Sequence, residues 1–164
     1  MTDSRIEVSR NIAAEPAAIF EILRSPDGHV AIDASGMLMW AEGDPASKVG
    51  DRFHMHMDRD ALRDFPLGEY ELDVVFTCYE QDRSIAWTVA RGDVDTSIGH
   101  VFGYELTPID GGTAVTQYYD WSNLRPDFKA AAGDAFPVIP ERVLLGTLGI
   151  LARTVAPREA RPGA

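Results

Sequence analysis

The organisation of the chain is clearest in residues 96–121, TSIGHVFGYELTPIDGGTAVTQYYDW. Bulky side chains recur at every second position of its first half: Ile98, His100, Phe102, Tyr104 and Leu106. This period of two is typical of a strand with one buried face. The Asp-Gly-Gly at 110–112 supplies positions where a positive φ costs little, and alternation resumes after it. The stretch therefore predicts an antiparallel hairpin with strands at 96–106 and 113–121.

Similar patterns lie upstream of this hairpin. Alternation predicts strands at 6–12, 37–41, 51–57, 68–79 and 84–90, separated by turn-forming residues. Six strands in succession favour an antiparallel sheet, because parallel strands need long crossover connections. Pro16 and Ser25-Pro26 are typical helix starts, so two short helices are expected after the first strand, the second ending at Gly36. The charged segment 58–66 is expected to be an exposed loop.

The last predicted element is a long helix at 140–155. Pro140 and Glu141 suit its first turn. One apolar stripe follows, at spacings of four, three and four residues: Leu144, Leu148, Leu151 and Val155. Such a stripe must be buried, and the sheet is the only large partner available. Residues 123–133 show no pattern and are expected to be irregular.

Composition restricts the class of protein. The chain has 164 residues, 45% of them hydrophobic, and a formal net charge of -11. This length predicts one domain, at 1–156, with a flexible tail at 157–164. The acidic excess argues against binding to nucleic acid or to anionic membranes. Cys78 is the single cysteine, and neither a signal peptide nor a run of about 20 apolar residues is found. We therefore expect a soluble cytoplasmic protein without stable membrane insertion.

The order of the elements resembles the helix-grip fold of the START-like (SRPBCC) superfamily, which includes polyketide cyclase/dehydrase and birch-pollen-allergen-like proteins. The resemblance covers residues 5–156. It rests on AEPAAIF at 14–20, VGDRF at 49–53, IAW at 85–87, YELTP at 104–108 and GTAVT at 112–116. It implies an α+β fold in which a seven-stranded antiparallel curved sheet wraps around the C-terminal helix, with a cavity between them. Members share this cavity without sharing one reaction, so fold is implied more firmly than function.

The bulky strand faces and the helix stripe are the expected cavity walls. Their composition, mostly apolar with a few hydroxyls, an amide and an imidazole, is typical of a small-molecule site. The candidate ligand-binding residues are Phe53, Met55, Tyr70, Leu72, Phe76, Trp87, His100, Phe102, Tyr104, Gln117, Tyr119, Leu144, Leu148 and Leu151. Alternation by itself favours plain core, so the resemblance is what favours a cavity.

Histidines and tyrosines are the main polar candidates. His100 lies in the middle of a bulky face, where it can bind a ligand carbonyl or transfer a proton near neutral pH. A structural histidine fits that position equally well. Tyr104 and Tyr119 are the other catalytic candidates. His54 and His56 have a spacing that can bind zinc when another ligand joins. They are expected to point outward, so neither a metal site nor a cofactor is predicted.

Three functions follow from these patterns taken together with what the resemblance implies. The first is binding of a hydrophobic or aromatic small molecule, lipid-like or polyketide-like, in the cavity. An alternative is a polyketide cyclase or dehydratase that holds the chain folded in the same cavity. The third is a protein-interaction module that uses the acidic surface to bind a basic partner. The expected oligomeric state is a monomer or a homodimer.

Overall fold

The computed structural model describes residues 4–132 and 134–157. The strands are β1 (Arg5–Ile12), β2 (Leu38–Glu42), β3 (Arg52–Asp58), β4 (Glu69–Glu80), β5 (Ser84–Ala90), β6 (Val101–Ile109) and β7 (Gly112–Asp120). The α-helices are α1 (Pro16–Leu23), α2 (Pro26–Ile32), α3 (Pro126–Ala132) and α4 (Glu141–Val155). The tail predicted at 157–164 lies outside the described residues, apart from its first residue. None of the described helices is long and apolar enough to cross a membrane.

All seven strands form one antiparallel sheet in the order β1-β7-β6-β5-β4-β3-β2. From β2 to β7, each strand pairs with its neighbour in the chain, as consecutive hairpins require. β1 pairs instead with β7, from Arg5 opposite Asp120 to Ile12 opposite Thr113. The predicted α+β class, with a seven-stranded curved sheet and a C-terminal helix, is confirmed.

Two predictions about the second half of the chain are wrong. β6 begins at Val101 rather than at residue 96, because a short 3-10 turn and Gly99 interrupt the extended chain. Gly99 has a φ of +96°, and a Cβ there would lie 2.2 Å from the carbonyl oxygen of Asn123, so only glycine fits. The stretch expected to be irregular contains α3, which starts at Pro126 and ends in alanines.

Helices α1, α2 and α4 pack on one face of the curved sheet. The predicted stripe of α4 is buried at Leu144, Leu148 and Leu151. α2 lies so close to α1 that a Cβ at Gly28 would be 1.9 Å from the carbonyl oxygen of Ile22. α2 also ends at Ile32, four residues before the predicted stop at Gly36. Ile32 itself is buried, and α2 packs against β2, β3 and α4.

Candidate functional site

A cavity of about 200 Å³ lies between the inner face of strands β3–β7, helix α2 and the first two turns of α4. Its walls are mainly aromatic, methionine and branched aliphatic side chains. Apolar cavities of about 150 Å³ hold a benzene-sized ring, whereas a single water needs about 30 Å³. The space therefore exceeds ordinary packing defects and accommodates a compact organic molecule.

Nine of the candidate ligand-binding residues line this cavity: Met55, Tyr70, Leu72, Trp87, His100, Phe102, Tyr104, Gln117 and Leu144. The other five do not reach it and pack in the core: Phe53, Phe76, Tyr119, Leu148 and Leu151. His29 of α2 packs edge-on against the rings of Phe53 and Phe76, with centroids 4.9 and 6.3 Å away, and covers both. Leu148 and Leu151 lie beyond the part of α4 that the cavity touches.

Several wall residues come from helices and loops and were not predicted. His29 is one, and Val138 and Ile139, which precede α4, are others. Arg59 lies in the segment expected to be exposed, yet only 7% of its surface is accessible. A sequence signal for this burial was present. Phe53, Met55 and Met57 alternate on the buried face of β3, and Arg59 is the next position in that alternation.

Arg59 is buried with its charge paired. Its Nε and Nη2 donate to the carboxylate of Asp64 at 3.0 and 2.5 Å, and Nη1 donates to the sulfur of Met37 at 2.9 Å. This bidentate pair lowers the pKa of Asp64 to about 2. Asp33, an acidic wall residue, accepts from the backbone and hydroxyl of Ser35 and from the backbone of Leu38. Both charged groups are therefore already occupied by protein partners.

His100 is a neutral, oriented imidazole. Its Nδ1 lies 2.8 Å from the Tyr119 hydroxyl. Among the described residues, this is the one hydrogen bond of the His100 ring. A phenol is the better donor of the two, so we assign the proton of that bond to Tyr119 and place the imidazole hydrogen on Nε2. Burial lowers the pKa of His100 to about 4, which leaves the ring uncharged at neutral pH.

Two buried polar atoms of cavity residues have no partner: Nε2 of His100 and Oε1 of Gln117. Among the described residues, Nε of Arg125 is the one other buried side-chain atom in this condition. Gln117 lies on β7, directly opposite Tyr104. Burial raises the pKa of the Tyr104 phenol, which therefore stays protonated. An unpaired buried donor or acceptor costs about 1–3 kcal/mol, so these atoms mark where a ligand would gain most.

Comparison with known proteins identifies structures that share the fold of this chain. No family model and no curated protein matches the chain. A protein from Chromobacterium violaceum is similar in structure, with a TM-score of 0.64 and 17% identity over 94% of this chain and 98% of that one. The AHSA1-like protein from Aeromonas hydrophila gives a TM-score of 0.55 and 19% identity over 91% and 90% of the two chains.

A third similar structure is the Aha1 dimer from Colwellia psychrerythraea, with a TM-score of 0.54 and 20% identity over 94% of this chain and 96% of that one. Identities this low show a common architecture and carry no information about ligand or activity. They agree with the sheet topology and the position of α4 described above. The chain has the helix-grip fold that AHSA1-like proteins share.

Proposed function

We propose that the protein binds a small aromatic or apolar molecule that carries one hydrogen-bonding polar group. The observation that carries this proposal is a pair of buried, unpartnered atoms, Nε2 of His100 and Oε1 of Gln117, in two residues that line an apolar cavity. Such atoms are rare in folded proteins, because each one costs free energy that a partner would recover.

The walls match the two parts of such a ligand. Trp87 and Phe102 line the cavity with their planes 18° apart and their centroids 6.1 Å apart, and such aromatic walls favour an aromatic body. The Nε2–H of His100 donates to a carbonyl or hydroxyl oxygen, and Oε1 of Gln117 accepts from a hydroxyl or N–H. A phenol, an enol or a carboxamide offers these functions. An analogue that lacks them would bind about 10- to 100-fold more weakly, because the two protein atoms stay unpaired.

Charge and volume restrict the ligand further. Arg59 is already neutralised by Asp64, and His100 is uncharged, so the cavity favours a neutral molecule. A volume of about 200 Å³ favours one or two rings over a long acyl chain. Within the predicted range of lipid-like and polyketide-like ligands, these features favour a compact aromatic compound.

A second candidate function is catalysis of ring closure or dehydration in a β-ketone compound. The observation that favours it is the His100–Tyr119 pair, which holds a neutral imidazole among the residues that line the cavity. A hydrogen bond from the imidazole N–H to a ketone would favour its enol, and confinement would bring the reacting carbons together. The volume of the cavity restricts such a substrate to a short chain.

The first experiment is native mass spectrometry of the freshly purified full chain, followed by denaturation to release any bound compound. The same spectrum distinguishes a monomer from a homodimer. Binding of 1-naphthol, salicylamide and naphthalene is then titrated by tryptophan fluorescence. We expect the first two to bind at least about tenfold more tightly than naphthalene, which has no polar group.

Matched variants locate the site. Gln117→Leu should weaken binding of salicylamide about tenfold, whereas the same change at the exposed Gln81 should have no effect. His100→Leu removes the donor in the same way. Equal affinity of both cavity variants and the unaltered protein would overturn the proposal. So would the absence of both a copurified compound and saturable binding of any of the three probes.

A further inference from the structure

A second group of titratable side chains lies on the outer face of the sheet, opposite the cavity. In the register of β2, β3 and β4, Glu42 is opposite His54, which is opposite Asp73. One step along, His56 is opposite Glu71. Side chains opposite each other on one face of a sheet lie about 5 Å apart, so these five residues form one cluster.

Each ring nitrogen of the two histidines faces a carboxylate. Nδ1 of His54 is 2.7 Å from Asp73, and its Nε2 is 3.2 Å from Glu71. Nδ1 of His56 is 3.0 Å from the same oxygen of Glu71, and its Nε2 is 2.8 Å from Glu42. Glu42, His54 and His56 each offer one ligand atom, and these three atoms lie within 4.8 Å of one another.

These separations fit a tetrahedral metal ion. With Zn–N and Zn–O bonds of about 2.0 Å, the ligand atoms of such a site are about 3.3 Å apart. The distances of 3.0 and 3.2 Å from the Glu71 oxygen to His56 and His54 are already of this size. Glu42 lies instead 2.8 Å from Nε2 of His56, so it joins the same ion only after its side chain rotates. Two imidazoles and two carboxylates are a donor set suited to Zn²⁺ and unsuited to Mg²⁺ or Ca²⁺.

The imidazoles are held in place by groups behind them. Asp73 accepts from Nδ1–H of His54 in the neutral tautomer, which leaves the Nε2 lone pair free for a metal. Arg52 donates to the other oxygen of Asp73 at 3.4 Å. The ring of Trp40 stacks on His56, with centroids 3.5 Å apart and planes 6° apart. A carboxylate that orients a ligating histidine is a common feature of zinc sites.

The charge of the cluster supports a cation in the same place. Three carboxylates (Glu42, Glu71 and Asp73) against the guanidinium of Arg52 leave two negative charges around neutral imidazoles. A divalent cation balances this charge. Without one, hydrogen bonds to Asp73 and Glu71 raise the pKa of His54.

We propose that Glu42, His54, His56 and Glu71 form a surface site for a divalent transition metal such as Zn²⁺, with Asp73 as a positioning residue. The prediction that His54 and His56 point outward holds, since Phe53, Met55 and Met57 take the buried face of β3. Pointing outward does not exclude a metal here, because β2 and β4 supply the missing carboxylates.

The test uses the full chain without an affinity tag. Isothermal titration calorimetry with Zn²⁺ should give one site per chain with micromolar or tighter affinity, and Mg²⁺ should give no comparable binding. His54→Gln and His56→Gln should each weaken Zn²⁺ at least about tenfold, and Asp73→Asn about tenfold. Glu80→Gln and Cys78→Ser are the controls, because both lie outside the cluster and should leave the affinity unchanged.

A second readout locates the ion directly. In NMR spectra, Zn²⁺ should shift the ring signals of His54 and His56 and leave those of His29 and His100 in place. The proposal is overturned if Zn²⁺ shows no saturable binding, if the double variant at His54 and His56 binds it as tightly as the unaltered protein, or if Cys78→Ser abolishes binding.

Discussion

Acidification should destabilise the protein through His100, and the variant His100→Gln should remove that effect. Burial lowers the pKa of His100 in the folded protein to about 4, against 6.5 for an unperturbed histidine. The unfolded chain therefore binds this proton more readily than the folded one. The free energy of unfolding is unaffected above about pH 6.5, falls as the pH drops below that value, and levels off below about pH 4.

The pKa difference sets the size of the effect. One pKa unit corresponds to about 1.4 kcal/mol, so the full loss from His100 is about 3 kcal/mol. Between pH 7 and pH 5 the same relation gives about 2 kcal/mol. His29 is buried with a pKa of about 4 as well and adds a similar loss. Raised pKa values, such as that of His54, act in the opposite direction. The contributions of His29 and His54 are the same in His100→Gln as in the unaltered protein. The difference between the two proteins therefore isolates the contribution of His100.

The assay is urea unfolding of both proteins at pH 7 and pH 5, followed by circular dichroism. We expect the unaltered protein to lose about 2 kcal/mol more than His100→Gln over this interval. An NMR titration of the His100 ring in the unaltered protein gives an independent value and should show a midpoint near 4. Equal losses in the two proteins, or an NMR midpoint near 6.5, would refute the reasoning about burial.

Three further predictions concern stability and the site. Gly149→Ala should raise the free energy of unfolding by up to about 1 kcal/mol, because a Cβ there meets open space. Gly28→Ala should lower the free energy of unfolding by about 2 kcal/mol or more, because a Cβ there would overlap α1. Urea unfolding measures both, and equal signs would contradict the packing described. Gln117→Leu should raise stability by about 1 kcal/mol, because it removes an unpaired buried oxygen, and unchanged or lower stability would argue that this oxygen has a partner. Tyr119→Phe should release the tautomer of His100, so ¹⁵N NMR should show its hydrogen shared between both ring nitrogens rather than on Nε2 alone.

Local patterns were sufficient to predict most of the fold. The alternation in β3 to β7 and the stripe of α4 each depend on one face being buried, and burial is what the structure shows for both. The errors lie where chain geometry depends on distant contacts. The start of β6 is set by the close approach of Asn123 to Gly99, which no pattern within the strand reveals. α3 was missed because the sequence carries no apolar stripe there.

The candidate site was harder to predict than the fold. Alternation sorts side chains between the two faces of the sheet. It does not predict which residues of the inner face are covered by a helix and which line the cavity. Phe53 and Phe76 are on the inner face and still lie outside the cavity, because His29 fills the space in front of them. Arg59 could have been included from its place in the β3 period. Its burial, however, requires Asp64 as a partner, which depends on the shape of the loop.

The pairing of β1 with β7 has a consequence for the order in which the protein assembles. β2 to β7 form from successive hairpins, each of which closes a short loop. β1 pairs with a strand that lies more than a hundred positions later in the chain, since Arg5 is opposite Asp120. Closing a loop of that length costs about 3 kcal/mol more in chain entropy than closing the tightest hairpin does. During synthesis, therefore, β1 leaves the ribosome before its partner β7, and its exposed edge has to be kept from pairing elsewhere until β7 follows.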